Sequence, residues 1–486
     1  MTDKNELRKL KEDAQEKLRG IDLYRYHLDR IDTRLNAYIE SVTVDPDGHN
    51  LYELLSIVRF FRLMDTYLFK IGEVKKFIVF YESLQFSGLN GRTRYKLTPI
   101  QVFQFANILG FYKTEEKRLI RDALLFVPRK YSKTTSVASL AIYDLLFGDA
   151  NAQSYVAANN YNQAQICFSE IKEILKCLDP KFRHFKINRE QVFNKMQGKT
   201  SFARCLASNA DKLDGLNASM VILDEYSQAD SAALKNVLTS SMGARVNPLT
   251  VVITTASDKL ESPFVDMLES YKAVLRGEID NDFIFAHIFE PDVDDAEDDP
   301  RTWGKVQPHL GVTVQADYYE NEYRKAQMNA DDMMTFRTKL LNMFVQNTGK
   351  IWFTSSEVEA MSRNDDDLCS LKGRPDAMVA VDLSVCDDFS AVSYTVYMPD
   401  ARNFHIHTDY YFPEGALKDH PNRELYKKWA DAGHLRLLPG NVIDYRLIAD
   451  DINRRNRGQI CILAIGYDPY KSMEFVNIMS ASGAKK

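Results

Sequence analysis

Apolar residues over the first ninety positions recur at helical spacing, clearest over 51–69 and 71–86, on a heavily charged background. This predicts a peripheral helical arm over 1–94. From about 95 to 290 the pattern changes to short β-rich runs at 123–127, 153–158, 218–223 and 249–255, separated by helical stretches. Strands alternating with helices predict an α/β domain with a largely parallel sheet. The stretch 290–300 is acidic and bracketed by prolines, so it reads as a solvated loop rather than a metal site. It opens a linker, 291–372, with helical pattern from about 315 to 345. Over 373–486, three strands joined by tight turns are expected at 377–382, 389–397 and 403–411. A helix (421–432), a short strand (434–438), a helix (444–455) and an apolar run (460–468) follow.

Composition narrows the class without deciding it. The 486 residues suffice for two to four domains, and 45% hydrophobic with 27% charged residues is an ordinary globular balance. No stretch reaches the roughly eighteen apolar residues of a membrane span, and the polar opening Met1-Thr2-Asp3-Lys4-Asn5-Glu6 has no signal-peptide core, so a cytoplasmic protein without a membrane partner is expected. The net charge of −6 advertises no global basic field for nucleic acid, although a local basic face would not show in a sum. Six cysteines (Cys167, Cys177, Cys205, Cys369, Cys386, Cys461) stand without Cys-x-x-Cys spacing, which fits reduced thiols better than zinc or disulfides.

Candidate chemistry begins at Val221-Ile222-Leu223-Asp224-Glu225, an apolar run ending in two carboxylates. In a P-loop ATPase the first acid holds Mg²⁺ and the second polarises the attacking water; an ordinary strand-to-loop exit has the same pattern. About ninety residues earlier stands Phe126-Val127-Pro128-Arg129-Lys130-Tyr131-Ser132-Lys133-Thr134-Thr135, between an expected strand and a helix reaching about Phe147. A phosphate loop needs glycines for backbone approach, a Lys for the β- and γ-phosphates and a hydroxyl for Mg²⁺. Here Val127 and Ser132 occupy the glycine positions, and a basic loop capping a helix through Ser132 or Thr134 is the other reading. Thr254-Thr255-Ala256-Ser257 closes a further strand. Asp382 and Asp468 each end an expected strand; side by side, they would converge on a divalent metal. His405-Ile406-His407 places two imidazoles on one strand face, read as an exposed sheet face rather than a metal site.

The stretch from Ser201-Phe202-Ala203-Arg204 through Asp211-Lys212-Leu213-Asp214-Gly215-Leu216-Asn217 into Asp224-Glu225-Tyr226 resembles the large terminase subunits of tailed bacteriophages, especially the HK97-like branch. The loop Arg129-Lys130-Tyr131-Ser132-Lys133-Thr134 matches that family's phosphate loop, with Ser132 for Gly as the departure. The resemblance implies a P-loop ATPase domain over 95–290 and an RNase H-like nuclease domain over 373–486, whose strand and helix order it shares. It implies that Lys133 binds the β- and γ-phosphates of ATP, that Thr134 and Asp224 hold Mg²⁺, and that Glu225 positions water. Arg129 would add a cation, with Lys130, Ser132 and Thr135 completing the loop. Gln101, in Leu97-Thr98-Pro99-Ile100-Gln101, would read adenine, a buried Gln satisfied by backbone being the alternative. Thr254, Thr255 and Ser257 would sense the γ-phosphate, and Arg204 is the arginine-finger candidate, or else a surface strand residue.

In the nuclease, Ala380-Val381-Asp382-Leu383-Ser384, Asp388-Phe389-Ser390-Ala391, Pro439-Gly440-Asn441-Val442-Ile443-Asp444-Tyr445 and Tyr467-Asp468-Pro469 carry the resemblance. Asp382 and Asp468 would bind Mg²⁺ or Mn²⁺, Asp388 is an accessory ligand and Asp444 a helix cap. The family's nuclease normally continues further, to a third acid, so a C-terminally incomplete nuclease is expected here. Implied partners are double-stranded DNA, the small terminase subunit, the portal protein and further copies in a ring on the procapsid. A P-loop translocase or helicase lacking nuclease activity, or an inactive prophage remnant, are the competing readings.

Overall fold

The computed structural model describes residues 4–88, 91–206, 215–345, 373–385, 388–399, 402–420, 422–469 and 472–482, with 360, 361, 368 and 371. Cys369, Cys386 and the stretch 211–214 lie outside them. The chain forms two compact units, Met1–Trp352 and Phe353–Lys486.

The first unit is built on an eight-stranded sheet. Its strands are β1 (Asp122–Phe126), β2 (Gln153–Ala158), β3 (Phe185–Ile187), β4 (Gln191–Asn194), β5 (Phe202–Leu206), β6 (Met220–Asp224), β7 (Leu249–Thr254) and β8 (Ile284–Ile288), in spatial order β8-β1-β7-β6-β2-β5-β4-β3. The six strands from β8 to β5 run parallel, and the β3–β4 hairpin adds two antiparallel strands at one edge. Every residue of β6 and β7 is buried. Such unbroken apolar runs are what a parallel sheet covered on both faces requires. β7 lies between β1 and β6, so the three strands deliver their C-terminal ends to one edge. That edge is where ligands of open α/β sheets bind.

Helices α1 (Lys4–Arg19), α2 (Thr33–Val44), α3 (Leu51–Thr66) and α4 (Ile71–Ser83) do not stand apart as an arm. Their buried faces, from Leu18 and Ile39 to Phe60 and Phe77, belong to the same hydrophobic core as Val221 and Val251 of the sheet. Phe60 packs against Phe103 of α5 (Pro99–Gly110) and against Phe111, with ring centroids 5.5 and 5.4 Å apart. These helices are amphipathic because one face meets the sheet layer.

The acidic stretch after β8 is likewise not a free solvated loop. Asp292 accepts hydrogen bonds from Lys11 of α1 (2.6 Å), from Lys305 (3.3 Å) and from the Leu51 backbone N–H (2.8 Å), and Asp295 accepts from Lys305 (2.6 Å). All four side chains of this cluster are less than one-fifth exposed. Helices α6 (Lys133–Phe147), α7 (Tyr161–Leu178), α8 (Ala233–Ser240) and α9 (Pro263–Arg276) accompany the sheet strands. Beyond it, α10 (Pro300–Val306), α11 (Ala316–Ala326), α12 (Ala330–Thr335) and a π-turn, Phe336–Leu340, close on a small core of Trp303, Tyr319, Phe336 and Leu340.

The second unit holds five strands: β9 (Asp376–Asp382), β10 (Ser390–Met398), β11 (Asn403–Pro413), β12 (Arg436–Leu438) and β13 (Cys461–Tyr467), in order β12-β11-β10-β9-β13. β9, β10 and β11 are antiparallel neighbours, while β13 runs parallel to β9 and β12 parallel to β11. A bulge near Leu463 shifts the β9–β13 register between Ala377 and Met378. Its core joins Val379, Val381 and Tyr394 to Ile448 and Ile452 of α14 (Tyr445–Gly458), which follows α13 (Arg423–Asp431) and precedes α15 (Met473–Ala481). The His405–His407 face is half-buried rather than open. Arg455 of α14 donates to Asp409 (2.9 Å), which also pairs with His407 (3.1 Å).

Candidate active sites

The candidate phosphate loop joins β1 to α6 without glycine, and the backbone shows how. Lys130 and Ser132 both adopt the left-handed region, at φ 70° and 65°. This is the conformation that glycine adopts freely and other residues adopt at a cost. Tyr131 between them is fully buried. Its hydroxyl donates to Gln104 Oε1 (2.8 Å), and its ring stacks on His309 with centroids 4.3 Å apart. The loop's carbonyls are held too: Gln307 Nε2 donates to Arg129 O (2.9 Å) and Thr313 Oγ1 to Lys130 O (2.5 Å). A buried aromatic anchor and side-chain clamps therefore fix a shape that glycines usually permit.

The three strand ends meet at Lys133. Its Nζ donates to Glu225 Oε1 (2.6 Å) and to Thr255 Oγ1. Glu225, itself left-handed at φ 51°, turns the second acid back across the sheet edge, and its backbone N–H donates to Ile253 O (2.9 Å). Thr255 Oγ1 donates to Val127 O (3.0 Å), Thr254 Oγ1 accepts from Ser227 N (3.1 Å) and Ser257 Oγ donates to Ser227 O (2.9 Å). These hydroxyls knit the end of β7 to the phosphate loop on one side and to the turn after Glu225 on the other. Asp224 is buried; burial, then the Glu225 charge, raises its carboxyl to about 6, with Lys133 acting in the opposite direction.

A cleft of ≈ 410 Å³ lies over the loop, lined by Tyr81, Tyr95, Gln101, Lys130, Ser132, Lys133, Thr134, Thr135 and His309. Asp224 lines a neighbouring cavity of ≈ 220 Å³ with Ala158, Asn159 and Tyr226, so Thr134 and Asp224 face different hollows of one edge. Gln101 reaches the cleft, but both ends of its amide are engaged: Oε1 accepts from Thr98 N (3.0 Å) and Nε2 donates to Ser136 Oγ (3.2 Å). His309 Nδ1, buried in the same wall, has no hydrogen-bond partner among the described residues. The cleft's donor set of Lys130, Lys133, Thr134 and Thr135 fits a polyphosphate with a divalent cation. Arg204 sits in mid-β5, half-buried, opposite Tyr155 of β2 and Gln191 of β4, and the fold does not bring it to the loop. The roles of Tyr131, His309, Gln307, Thr313 and Lys339 are not legible in the sequence; a bulky aromatic beside the Ser132 that replaces glycine is the available signal.

In the second unit Val381 of β9 is in register with Tyr467 of β13, so Asp382 and Asp468 leave adjacent parallel strands at the same level. Both are exposed. Asp388 belongs to the turn before β10, accepting from the Phe389 N–H (2.8 Å). Asp444 caps α14 through the Arg446 N–H (2.9 Å). No group of three or more His, Cys, Asp or Glu poised for a metal is present among the described residues. Nor is any helix among them long and apolar enough to cross a membrane. Cys167 and Cys205 are buried free thiols, and Cys177 and Cys461 are partly buried ones.

Comparison with known proteins follows the same division. A family model described as the ATPase domain of the terminase large subunit matches residues 99–273, and one for its endonuclease domain matches 278–482. Protein YmfN of Escherichia coli (strain K12) is 27% identical over 253 residues, covering 50% of this chain and 55% of YmfN, so the chain matches about half the length of that relative. The terminase large subunit of Lactococcus phage p2 is 22% identical over 431 residues, covering 86% of this chain and 78% of that protein. The crystal structure of the HK97 bacteriophage large terminase superimposes with a TM-score of 0.50 at 21% identity, over 85% of this chain and 83% of that one, a likeness of fold.

Proposed function

This chain belongs to the family of terminase large subunits, with an ATPase domain and an endonuclease domain, and on that basis we propose that it drives double-stranded viral DNA into a procapsid and cuts the concatemer. The observation that carries the reading is the meeting of Lys133, Glu225 and Thr255 at one point, since three segments far apart in sequence supply the lysine, the acid and the sensing hydroxyl of a nucleotide hydrolase. Lys133 and Arg129 hold the β- and γ-phosphates of ATP, while Lys130, Ser132 and Thr135 shape the loop around them. Thr134 and Asp224 hold Mg²⁺, which when bound neutralises charge on the phosphates. Glu225 releases Lys133 to the γ-phosphate and orients the attacking water. Thr254, Thr255 and Ser257 pass the loss of the γ-phosphate to the end of β7. Gln101 supports the cleft wall, and Arg204 stands as the finger toward a neighbouring copy.

In the second unit Asp382, Asp468 and Asp388 hold Mg²⁺ or Mn²⁺ for phosphodiester hydrolysis. Contacts to DNA are chiefly to phosphates, because a motor must accept every sequence. The small terminase subunit, the portal protein and further copies in a ring complete the assembly in the host cytoplasm. A translocase without cleavage is the second reading, favoured by the two-carboxylate nuclease edge. The test is ATP turnover and DNA cleavage by the full chain with Mg²⁺ or Mn²⁺. Lys133→Ala is expected to lower turnover at least about 100-fold, and Asp382→Asn to abolish cleavage while sparing turnover. Cleavage unchanged in Asp382→Asn would leave the translocase reading; turnover unchanged in Lys133→Ala would remove the motor.

A further inference from the structure

A residue outside the recognised motifs enters the same charge cluster. The π-turn Phe336–Leu340 lies more than two hundred residues after the phosphate loop, yet Lys339 joins two parts of the site. Its backbone carbonyl accepts from the Arg129 N–H (3.0 Å), at the start of the loop. Its Nζ donates to Ala256 O (2.9 Å), the residue after Thr255. Asn342, also in the left-handed region at φ 56°, accepts from the Ala256 N–H (2.8 Å) and donates to Phe289 O (2.7 Å). One turn of chain thus clasps both the loop that would hold the phosphates and the strand end that would sense them. The turn itself is fixed: Phe336 and Leu340 are buried, and Tyr319 donates to Leu340 O (3.0 Å). π-turns of this kind are rare and recur at functional sites.

Resting on the ATP-site reading above, we propose that Lys339 is a third phosphate cation, supplied by the π-turn, that contacts the γ-phosphate and so distinguishes ATP from ADP. The geometry gives it the means. Its present acceptor is a neutral carbonyl, and a γ-phosphate oxygen would offer the same ammonium a charge-assisted bond roughly twice as strong. Moving from one to the other frees Ala256 O and loosens the clasp on the end of β7, which would couple the presence of the γ-phosphate to the position of 336–342. The electrostatic surroundings agree: burial, then the Arg129 charge, lowers the Lys339 ammonium, with Glu225 opposing and Lys133 adding to the depression. Those are the charges of the nucleotide site.

The test compares ATPγS and ADP binding to the full chain with Mg²⁺, for the wild type, Lys339→Met and Lys339→Arg. Lys339→Met is expected to weaken ATPγS binding by about tenfold or more, the worth of one charged hydrogen bond, while ADP affinity stays within about twofold. Lys339→Arg, which keeps the charge, recovers part of the ATPγS affinity. Equal effects of Lys339→Met on both nucleotides, or on neither, would show that Lys339 only ties Ala256 and would overturn the proposal. A wild-type chain that binds neither nucleotide would instead remove the ATP-site reading, and this inference with it.

Discussion

Ser132 shows what the candidate phosphate loop asks of a single residue. A left-handed backbone costs an L-residue about 1–2 kcal/mol, and the loop carries two such residues, Lys130 and Ser132, on either side of a buried tyrosine. Ser132→Gly is therefore expected to keep ATP turnover and to raise the melting temperature slightly. Ser132→Val, β-branched and least able to adopt this region, is expected to lose turnover and about 2 kcal/mol of stability. Melting curves and turnover on the same preparations check both, and equal behaviour of Gly and Val would mean the loop is not held in this shape. The Lys-Thr pair and the Asp-Glu pair were legible because charge and hydroxyl identity are written in the sequence. The backbone that makes Ser acceptable was not, since it depends on Gln104, Gln307, His309 and Thr313 from elsewhere in the chain.

Between elements, a buried polar chain links the first helices to the sheet. His287 of β8 meets Tyr38 of α2 (3.2 Å) and Gln104 of α5 (3.2 Å); Tyr38 donates to Glu53 of α3 (2.6 Å), which pairs with His49 (3.0 Å). Burial pulls His287 from 6.5 down to about 4, so the folded protein holds it neutral while the unfolded chain takes up a proton near 6.5. The unfolded state thus binds more protons in this window, and the stability due to His287 is lost as pH falls from about 6.5 toward 4. His49 acts in the opposite sense: burial lowers it, the charge and hydrogen bond of Glu53, with Asp45, together outweigh burial, and its raised value gives stability that is lost as pH rises. Relative to the wild type, His287→Gln is expected to show a shallower fall of melting temperature between pH 6.5 and 4. Parallel curves would mean that His287 is not the group titrating. Apolar runs at β1, β2, β6, β7 and β9–β11 were legible from the sequence, because strand periodicity is local. The β3–β4 hairpin and β8 were not, being short and set by their neighbours rather than by their own pattern.

For the whole molecule, the expected division at residue 94 dissolves because α1 to α4 bury their apolar faces in the core of the sheet. Charge runs are usually solvated, so the acidic stretch reads that way in sequence; its lysine partners, Lys11 and Lys305, lie on opposite sides of it in the chain and are paired only by the fold. Asp292→Ala removes the acceptor of the part-buried Lys11 and of the Leu51 backbone N–H, while Lys305 keeps Asp295, and is expected to cost about 2 kcal/mol. Chemical denaturation of the full chain checks this, and a loss below about 0.5 kcal/mol, ordinary for a surface substitution, would restore the solvated reading. The strand order of the second unit followed from its pattern.

The bulge near Leu463 sets the phase of that edge. Ile462 and Ile465 of β13 both pack toward the second core although an odd spacing should place them on opposite faces, and the extra residue between them reconciles the two. Because side chains alternate along a strand, pairing Leu463 with Met378 instead of looping it out would turn everything downstream to the other face. Asp468 would then leave the sheet from the face opposite to Asp382. The pairing of two exposed carboxylates is thus decided about five residues, about 16 Å of strand, away from either of them.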